Sequence, residues 1–330
     1  MSLNDITFLT DEQVFSKKKL DIIGKRGVKA AITDFSILLG GIVNNSHIDG
    51  DESLGGRTGF YWTKTRKDND AVYVANSNGY RYFYYIFIRS YGSRLVLPFS
   101  SVDKIPLNEG EKVSNRCSDG ILEVECGYYP QMAVDRNMQV FLEQAYKDKK
   151  LKKSQNKYTT DSRIHNDYNA KFSERELDEF EYEGGRYVRV EANSCFNGKA
   201  FKLSNGIEYK DGDFVWIEVS PIKWLVDEKD KVMVSKKLLF AGIQFNNTPN
   251  YTGSFEDVDI KNFIDNYFSK EIDYRKKSKI SDEQEELNIL EQEIRTLKNQ
   301  KELLEKEIAK LNNLQDKNNK KNNNDVFSKK

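Results

Sequence analysis

Two histidines and three cysteines are all that 330 residues contain. His47 and His165 stand far apart, which leaves almost nothing for histidine-based zinc or triad chemistry. Cys117, Cys126 and Cys195 fall in no metal-binding spacing and read as the reduced thiols of a cytosolic protein. Excess charge is also missing. Fifty-two Lys and Arg balance 52 Asp and Glu, so no global basic field argues for nucleic acid or an anionic membrane. No apolar run approaches the ~20 residues that a membrane-crossing helix needs. The segment MSLNDITFLTDEQVF has no cationic stretch followed by an apolar core, so no signal peptide is expected. Nothing singles out a catalytic pair among the 52 acidic residues, and the chain is expected to be no enzyme and to need no cofactor or metal.

Absence is sharpest in one stretch. Charged residues make up 32% of the chain, yet no Lys, Asp or Glu occurs between Asp70 and Asp103. Arg81, Arg89 and Arg94 carry the only charges there, among Tyr, Phe, Asn, Ser and Ile. Residues 57–99 have the pattern of a small antiparallel sheet: 71–75 alternates, Asn76-Ser77-Asn78-Gly79 turns, 80–88 answers, and 94–97 adds a third run. Both faces of 80–89 are aromatic. Ordinary strand formers account for any one of these rings. The cluster matches the vocabulary of a binding surface, in which rigid amphipathic rings supply area and Asn and Ser supply adaptable hydrogen bonds.

Around this stretch, TDEQ at residues 10–13 predicts a capping box and a short helix. The apolar segment ITDFSILLGGIVNN breaks at Gly40-Gly41. Asp49 and Asp51 in HIDGDES sit close together, but a calcium loop needs further oxygens at ordered spacing, and a polar turn is expected. ILEVECGYYPQ predicts a strand ending in a turn. Asp135 caps a helix whose face carries Met138, Phe141, Leu142 and Ala145. The polar run from Leu151 through residue 177 reads as a long, partner-facing connection. From Tyr182 short strands alternate with Asn-Gly and Asp-Gly turns, with Trp216 and Trp224 as core residues and DFVWIEV and IKWLVD as separate strands. SFED at 254–257 opens an amphipathic helix bearing Ile260, Phe263, Ile264 and Tyr267.

Heptads close the chain. Leu287, Ile294, Lys301 and Ile308 occupy a positions, and Leu290, Leu297, Leu304 and Leu311 occupy d. Ile at a with Leu at d favours a parallel two-stranded coiled coil, so a homodimer through Ile280 to Leu311 is expected. A single amphipathic helix docked on its own protein would carry the same pattern. Beyond Leu314 the tail is low-complexity and is expected to be disordered.

GFYWTKT, DNDAVYVANSNG and YGSRLVLP, in that order, resemble the closing half of C-type-lectin-like domains of the formylglycine-generating-enzyme type. GYYPQ, PIKWLVDE, VSKKLLFAGIQFN and FEDVDIKNFIDNYFSKEI resemble an uncharacterised bacterial and phage domain family, in which the Trp-strand and Arg-strand elements usually come last rather than first. The whole order is similar to hypothetical proteins of gut bacteria and their phages. The resemblance covers roughly residues 30–275. It does not carry oxidase activity over, because no paired-cysteine motif is present. It does not carry calcium-dependent sugar binding over either, because the Glu-Pro-Asn, Gln-Pro-Asp and Trp-Asn-Asp motifs are missing. It implies a scaffold that diversity-generating retroelements rewrite at Asn codons, which never yields Lys, Glu, Gln, Met or Trp. None of these occurs in 72–94.

The expected fold is therefore α+β: a C-type-lectin-like mixed sheet body with many short antiparallel strands, few helices and a C-terminal coiled coil. Its parts are a lectin-like segment at 1–106, a β-rich domain packed on it at 107–275, a coiled coil at 276–312 and a tail at 313–330. The expected function is non-enzymatic ligand binding by Tyr73, Asn76, Asn78, Tyr80, Tyr82, Tyr84, Tyr85, Phe87, Arg89 and Tyr91. The ligand would be a protein or a surface, and the protein cytoplasmic or virion-associated. The other class open at this point is a single-stranded nucleic-acid module, with Tyr80, Tyr82 and Tyr84 stacking on bases and Arg81 and Arg89 on phosphate. The lack of Lys in the stretch counts against it.

Overall fold

Short-range chemistry sets where the first elements begin. Thr10 Oγ1 accepts from the Gln13 backbone N–H (3.1 Å), and Gln13 Oε1 accepts from the Thr10 backbone N–H (2.8 Å). This capping box joins β1 (Thr7–Phe8) to α1 (Asp11–Phe15). Next come α2 (Asp21–Arg26), β2 (Ala31–Ile32) and α3 (Asp34–Leu38), the last capped by Thr33. The Tyr-rich region holds β3 (Tyr61–Arg66), β4 (Ala71–Ala75), β5 (Arg81–Tyr85) and β6 (Leu95–Pro98). This computed structural model describes residues 5–43, 57–98, 114–117, 119–162, 172–196, 198–248 and 251–272. The heptads from Ile280 to Leu311, the tail after them and the acidic turn around Asp49 and Asp51 lie outside the described residues.

Beyond residue 113 the chain runs through β7 (Ser114–Arg116), β8 (Leu122–Ala133), α4 (Arg136–Lys147), β9 (Lys152–Asp161), β10 (Glu174–Tyr182) and β11 (Gly185–Glu191). It continues with β12 (Phe201–Lys202), β13 (Glu208–Tyr209), β14 (Phe214–Asp227), β15 (Val232–Ser235) and β16 (Lys237–Leu238). A helical stretch closes it: a 3₁₀ turn at Phe255–Asp257, α5 (Asp259–Phe263), a π turn at Ile264–Phe268 and α6 (Ser269–Glu271). The architecture is α+β, strand-rich with few helices, and none of the described helices is long and apolar enough to cross a membrane.

β14 is the spine. β8 runs along one of its edges, while β11 takes the first half of the other edge and β15 the second. The resulting nine-stranded sheet has the path β1-β6-β15-β14-β11-β10-β9, with β7 and β8 on the far side of β14. β6, from before residue 106, thus lies between β1 and β15, the latter from after it, and all described residues belong to one compact unit. Trp216 and Trp224 are both buried on β14, as expected, and Trp224 Nε1 donates to the Cys126 carbonyl (3.0 Å).

Several expectations are corrected. IKWLVD does not form a strand separate from DFVWIEV. β14 passes through Pro221 by slipping register around it, and Gln131 Nε2 donates to the Ser220 and Pro221 carbonyls (2.9 and 2.8 Å), which satisfies the bulge. GYYPQ lies within the continuous strand β8 rather than ending it in a turn. The polar run from Leu151 is not a loop throughout: β9 and β10 form an antiparallel pair. Lys152 and Lys153 bond Glu181 and Asp178 (both 2.7 Å), and Lys157 bonds Glu176. Tyr158 and Leu177 are buried as a cross-strand pair. Cross-strand charge pairing makes such a strand polar to read and stable to build. Run 94–97 does not complete the Tyr-rich sheet either, because β6 leaves for the large sheet and β3 supplies the third strand. On α4, Asp135 caps as expected and Leu142 and Ala145 are buried, but Phe141 remains 55% exposed, its ring against Tyr182.

Candidate functional site

The three-stranded sheet β3-β4-β5 is joined to neighbouring backbone along β3. At β3 the Lys64 N–H donates to the Leu9 carbonyl (2.8 Å) and Thr65 Oγ1 accepts from the Asp11 N–H (2.9 Å). Also at β3, the Trp62 N–H donates to the Gly92 carbonyl (3.3 Å), and the Gly92 N–H donates to the Phe60 carbonyl (2.8 Å). A Cβ at Gly92 would come within 2.8 Å of the Leu238 side chain, so only glycine permits this approach. Arg94 Nη1 donates to the Tyr61 hydroxyl (3.3 Å) and to the Val28 carbonyl (3.2 Å), which ties the strand of Tyr61 to the run that follows the surface.

The other side of the sheet is β5, which among the described strands pairs with β4 alone. The hairpin turn is built by Asn76, whose Oδ1 accepts from the Asn78 and Tyr80 N–H groups (3.0 and 2.9 Å), with Gly79 at φ +81°. The Asn76 N–H donates to the Tyr80 carbonyl (3.0 Å), and the Ile86 N–H donates to the Asp70 carbonyl (3.0 Å). In an antiparallel ladder the bonding alternates, so Tyr82 and Tyr84 turn their peptide groups toward β4, while Arg81 and Phe83 turn theirs away from the sheet.

The side chains are equally open. Tyr80 (69%), Tyr82 (52%), Phe83 (42%), Tyr84 (37%) and Tyr85 (56%) are all exposed, and both strand faces are aromatic. Tyr82 and Tyr84 lie opposite Val74 and Val72, so they continue the buried face of β4 into solvent. Phe83 lies opposite Tyr73 on the other face. The rings rest on one another: Tyr82 on Phe83 (5.6 Å, 10°) and Tyr85 on Phe87 (5.3 Å, 8°). Tyr84 stands edge-on to buried Tyr91 (5.2 Å), which stacks on Phe60 (5.3 Å) and meets Trp62 (4.8 Å). A continuous aromatic column thus runs from the core to the surface strand. Such packing keeps rings rigid and lowers the entropy lost when a partner covers them.

The expected contact set divides on this geometry. Tyr80, Tyr82, Tyr84 and Tyr85 are on the open strand, Asn78 is exposed at the turn, and Phe87 is half-buried beside Tyr85. Tyr73 is half-buried under the Arg81 guanidinium (3.8 Å), and Asn76 spends its side-chain oxygen on the turn. Arg89 and Tyr91 are corrections: both are 2% exposed and belong to the interior, because the chain turns inward after Ile86. Phe83 and Lys67 were not anticipated, and Lys67 Nζ sits over the Phe83 ring at 3.3 Å. Phe83 shares its strand face with Tyr85 of the expected set, and its exposure is what adds it to the surface. Arg81 is held by Asp11 through two hydrogen bonds (2.7 and 2.8 Å) that push its pKa up. Of the two arginines of the nucleic-acid reading, Arg89 is buried, while Arg81 is exposed and paired with Asp11.

Burial pushes the Cys126 thiol up to about 12 and the Cys195 thiol up to about 11, the opposite of a reactive thiolate. Among the described residues no group of three or more His, Cys, Asp or Glu is placed to hold a metal ion. Comparison with protein-family models, curated proteins and solved structures finds no match to this chain.

Proposed function

We propose that this chain is a non-enzymatic binding protein that presents the β5 aromatic strand to a protein partner from a lectin-like scaffold. The observation that carries the proposal is the open edge itself, five successive aromatic side chains from Tyr80 to Tyr85, Arg81 excepted, on a strand with no second neighbour among the described strands. Soluble proteins usually blunt such edges with Lys, Pro or a covering loop. Here the edge carries rings supported from below. Tyr-rich surfaces recognise proteins through ring area and peripheral hydrogen bonds, and truncating a central ring at such an interface costs about 2 kcal/mol or more. Support for the scaffold comes from the meeting of the Tyr-Trp strand with Gly92 and Arg94, the segments that carry the resemblance.

If the strand is a diversified binding surface, sequencing this gene in closely related isolates will show replacements concentrated at positions 80, 82, 83 and 85. Variation there no higher than at Trp62, Tyr91 and Trp224 would sink the proposal. Changing Tyr80, Tyr82, Phe83 and Tyr85 together to Ser should leave thermal melting near wild type, because each is a surface substitution worth about 0.5 kcal/mol or less.

The heptads from Ile280 to Leu311 would pair two such surfaces in a parallel dimer. Two modest sites on one stalk bind a multivalent target strongly, since the second contact is intramolecular. Sedimentation at micromolar concentration should give a dimer for the full chain and a monomer for Leu297→Glu/Leu304→Glu. Equal masses for the two proteins would remove the avidity argument.

A further inference from the structure

β5 carries hydrogen-bonding groups that its own sheet does not use. The Asn76 N–H to Tyr80 carbonyl bond and the Ile86 N–H to Asp70 carbonyl bond fix the phase of the β4–β5 ladder. Alternation from those two bonds turns the N–H and C=O of Arg81, Phe83 and Tyr85 away from β4. All five strand residues are exposed. The Tyr85 carbonyl accepts from the Ile88 N–H (3.2 Å) and keeps its second lone pair. The chain blunts a different edge of its structure. β9 ends the path of the large sheet, and Lys152, Lys153 and Lys157 stand along it. Its Thr159 N–H donates to the Glu271 carboxylate of α6 (2.8 Å). Lysines and a covering helix are usual ways to keep an edge from pairing. β5 has no Lys, Asp, Glu or Pro.

What fits such an edge is another edge of the same kind. Paired antiparallel with itself about Phe83, RYFYY sets Arg81 across from Tyr85, Tyr82 across from Tyr84 and Phe83 across from Phe83. Aromatic cross-strand pairs are favourable, and no like charges meet in this register. Arg81, the one charge on the strand, is already neutralised by Asp11 (2.7 and 2.8 Å). The outward groups of residues 81, 83 and 85 then meet their counterparts, and neither strand leaves them bare. We propose that β5 pairs antiparallel with β5 of a second copy of this chain, about a two-fold axis through Phe83. Two three-stranded sheets become one continuous sheet. Both ring faces stay open in it, and Tyr82 and Tyr84 of the two copies form a single row on one of them. The inference rests on β5 being the binding surface, and makes that surface a platform that one copy leaves half built. Five residues a side fall short of the about 20–30 of a stable interface, so the contact needs the tether that the heptads would supply.

Oxidative cross-linking of the full chain tests the register. Opposed residues of a hydrogen-bonded antiparallel pair have Cα atoms about 5.5 Å apart, within reach of a disulfide, whereas residue 81 would lie about 14 Å from its own copy. Phe83→Cys should therefore give about tenfold more disulfide-linked dimer than Arg81→Cys, with wild type and its half-buried Cys117 as background. Arg81→Cys/Tyr85→Cys keeps the central ring and should link as Phe83→Cys does. Adding Phe83→Pro to that pair removes an outward N–H, spares the ladder to β4 and should abolish the link. The proposal is overturned if neither Phe83→Cys nor Arg81→Cys/Tyr85→Cys links above background, the result that an edge kept for a strand of another protein would give. It is overturned too if Arg81→Cys alone links as well as Phe83→Cys. Neither result touches the replacement pattern at positions 80, 82, 83 and 85, so failure here and failure of the binding surface stay distinguishable.

Discussion

Replacing Trp62 by Ala will lower the unfolding free energy by about 4 kcal/mol, the usual cost of emptying a fully buried aromatic site. Trp62 is completely buried and touches Tyr91 (4.8 Å) and Phe245 (5.6 Å). Its Nε1 has no hydrogen-bond partner among the described residues, so ring volume and not a polar contact is what the Ala variant loses. Trp62→Phe, which keeps most of the volume, should therefore cost less than about 2 kcal/mol. The consequence reaches the binding strand. Tyr91 stands between Trp62 and Tyr84, so a void at residue 62 removes one side of the seat on which Tyr84 rests. Urea titration followed by near-ultraviolet circular dichroism measures both effects. A Trp62→Ala variant within 1 kcal/mol of wild type would show that the column from core to surface does not bear on stability.

Stability will also fall by about 3 kcal/mol as pH rises from about 4.5 to about 7, through Glu271 alone. Burial pushes this carboxyl up to about 7, against the hydrogen bond from the Thr159 backbone N–H (2.8 Å), and the charges of Glu174 and Glu176 push it the same way. Its Oε2 is buried without a hydrogen-bond partner among the described residues. The folded chain therefore keeps the proton until about pH 7, whereas the unfolded chain releases it near 4.5. Below 4.5 both states are protonated and the contribution is complete. Through the window the unfolded state binds fewer protons, and stability drops by about 1.4 kcal/mol per pH unit. Above the folded value it levels off. Other carboxyls, such as Glu143 and Asp119, are held low by Arg189 and Arg26 and impose the opposite slope at acid pH, so the comparison must be with Glu271→Gln. Urea midpoints of the two proteins should coincide near pH 4 and diverge up to pH 8, with the Gln variant the more stable. A difference that does not change with pH would refute the assignment.

Helix caps were the most legible part of the chain. Thr10 with Gln13 and Asp135 before α4 act within four residues of one another, so their partners are set by the peptide geometry itself. Ser254 with Asp257 does not open the amphipathic helix as expected: it closes a 3₁₀ turn, and extended Val258 separates that turn from α5. The turn at Asn76–Gly79 is local in the same way, because one side-chain oxygen and one glycine at positive φ suffice. The stretch without Lys, Asp or Glu was visible as composition and contains the exposed strand.

What failed were assignments that depend on a partner far away. Pro221 reads as a break because the Gln131 amide that satisfies its bulge is 90 residues earlier. Lys152, Lys153 and Lys157 read as a loop because the acids that pair with them lie on β10. Arg89 and Tyr91 have the same composition as their exposed neighbours, and only the inward path after Ile86 separates the two groups. The sequence by itself determined where α1 and α4 start, where the Asn76–Gly79 turn lies and that one stretch is rich in rings and poor in charge, because backbone capping, turn geometry and composition are local properties. Which edge stays open, which rings face water and which polar groups converge were decided only by the tertiary structure, since burial and cross-strand pairing belong to contacts between distant segments.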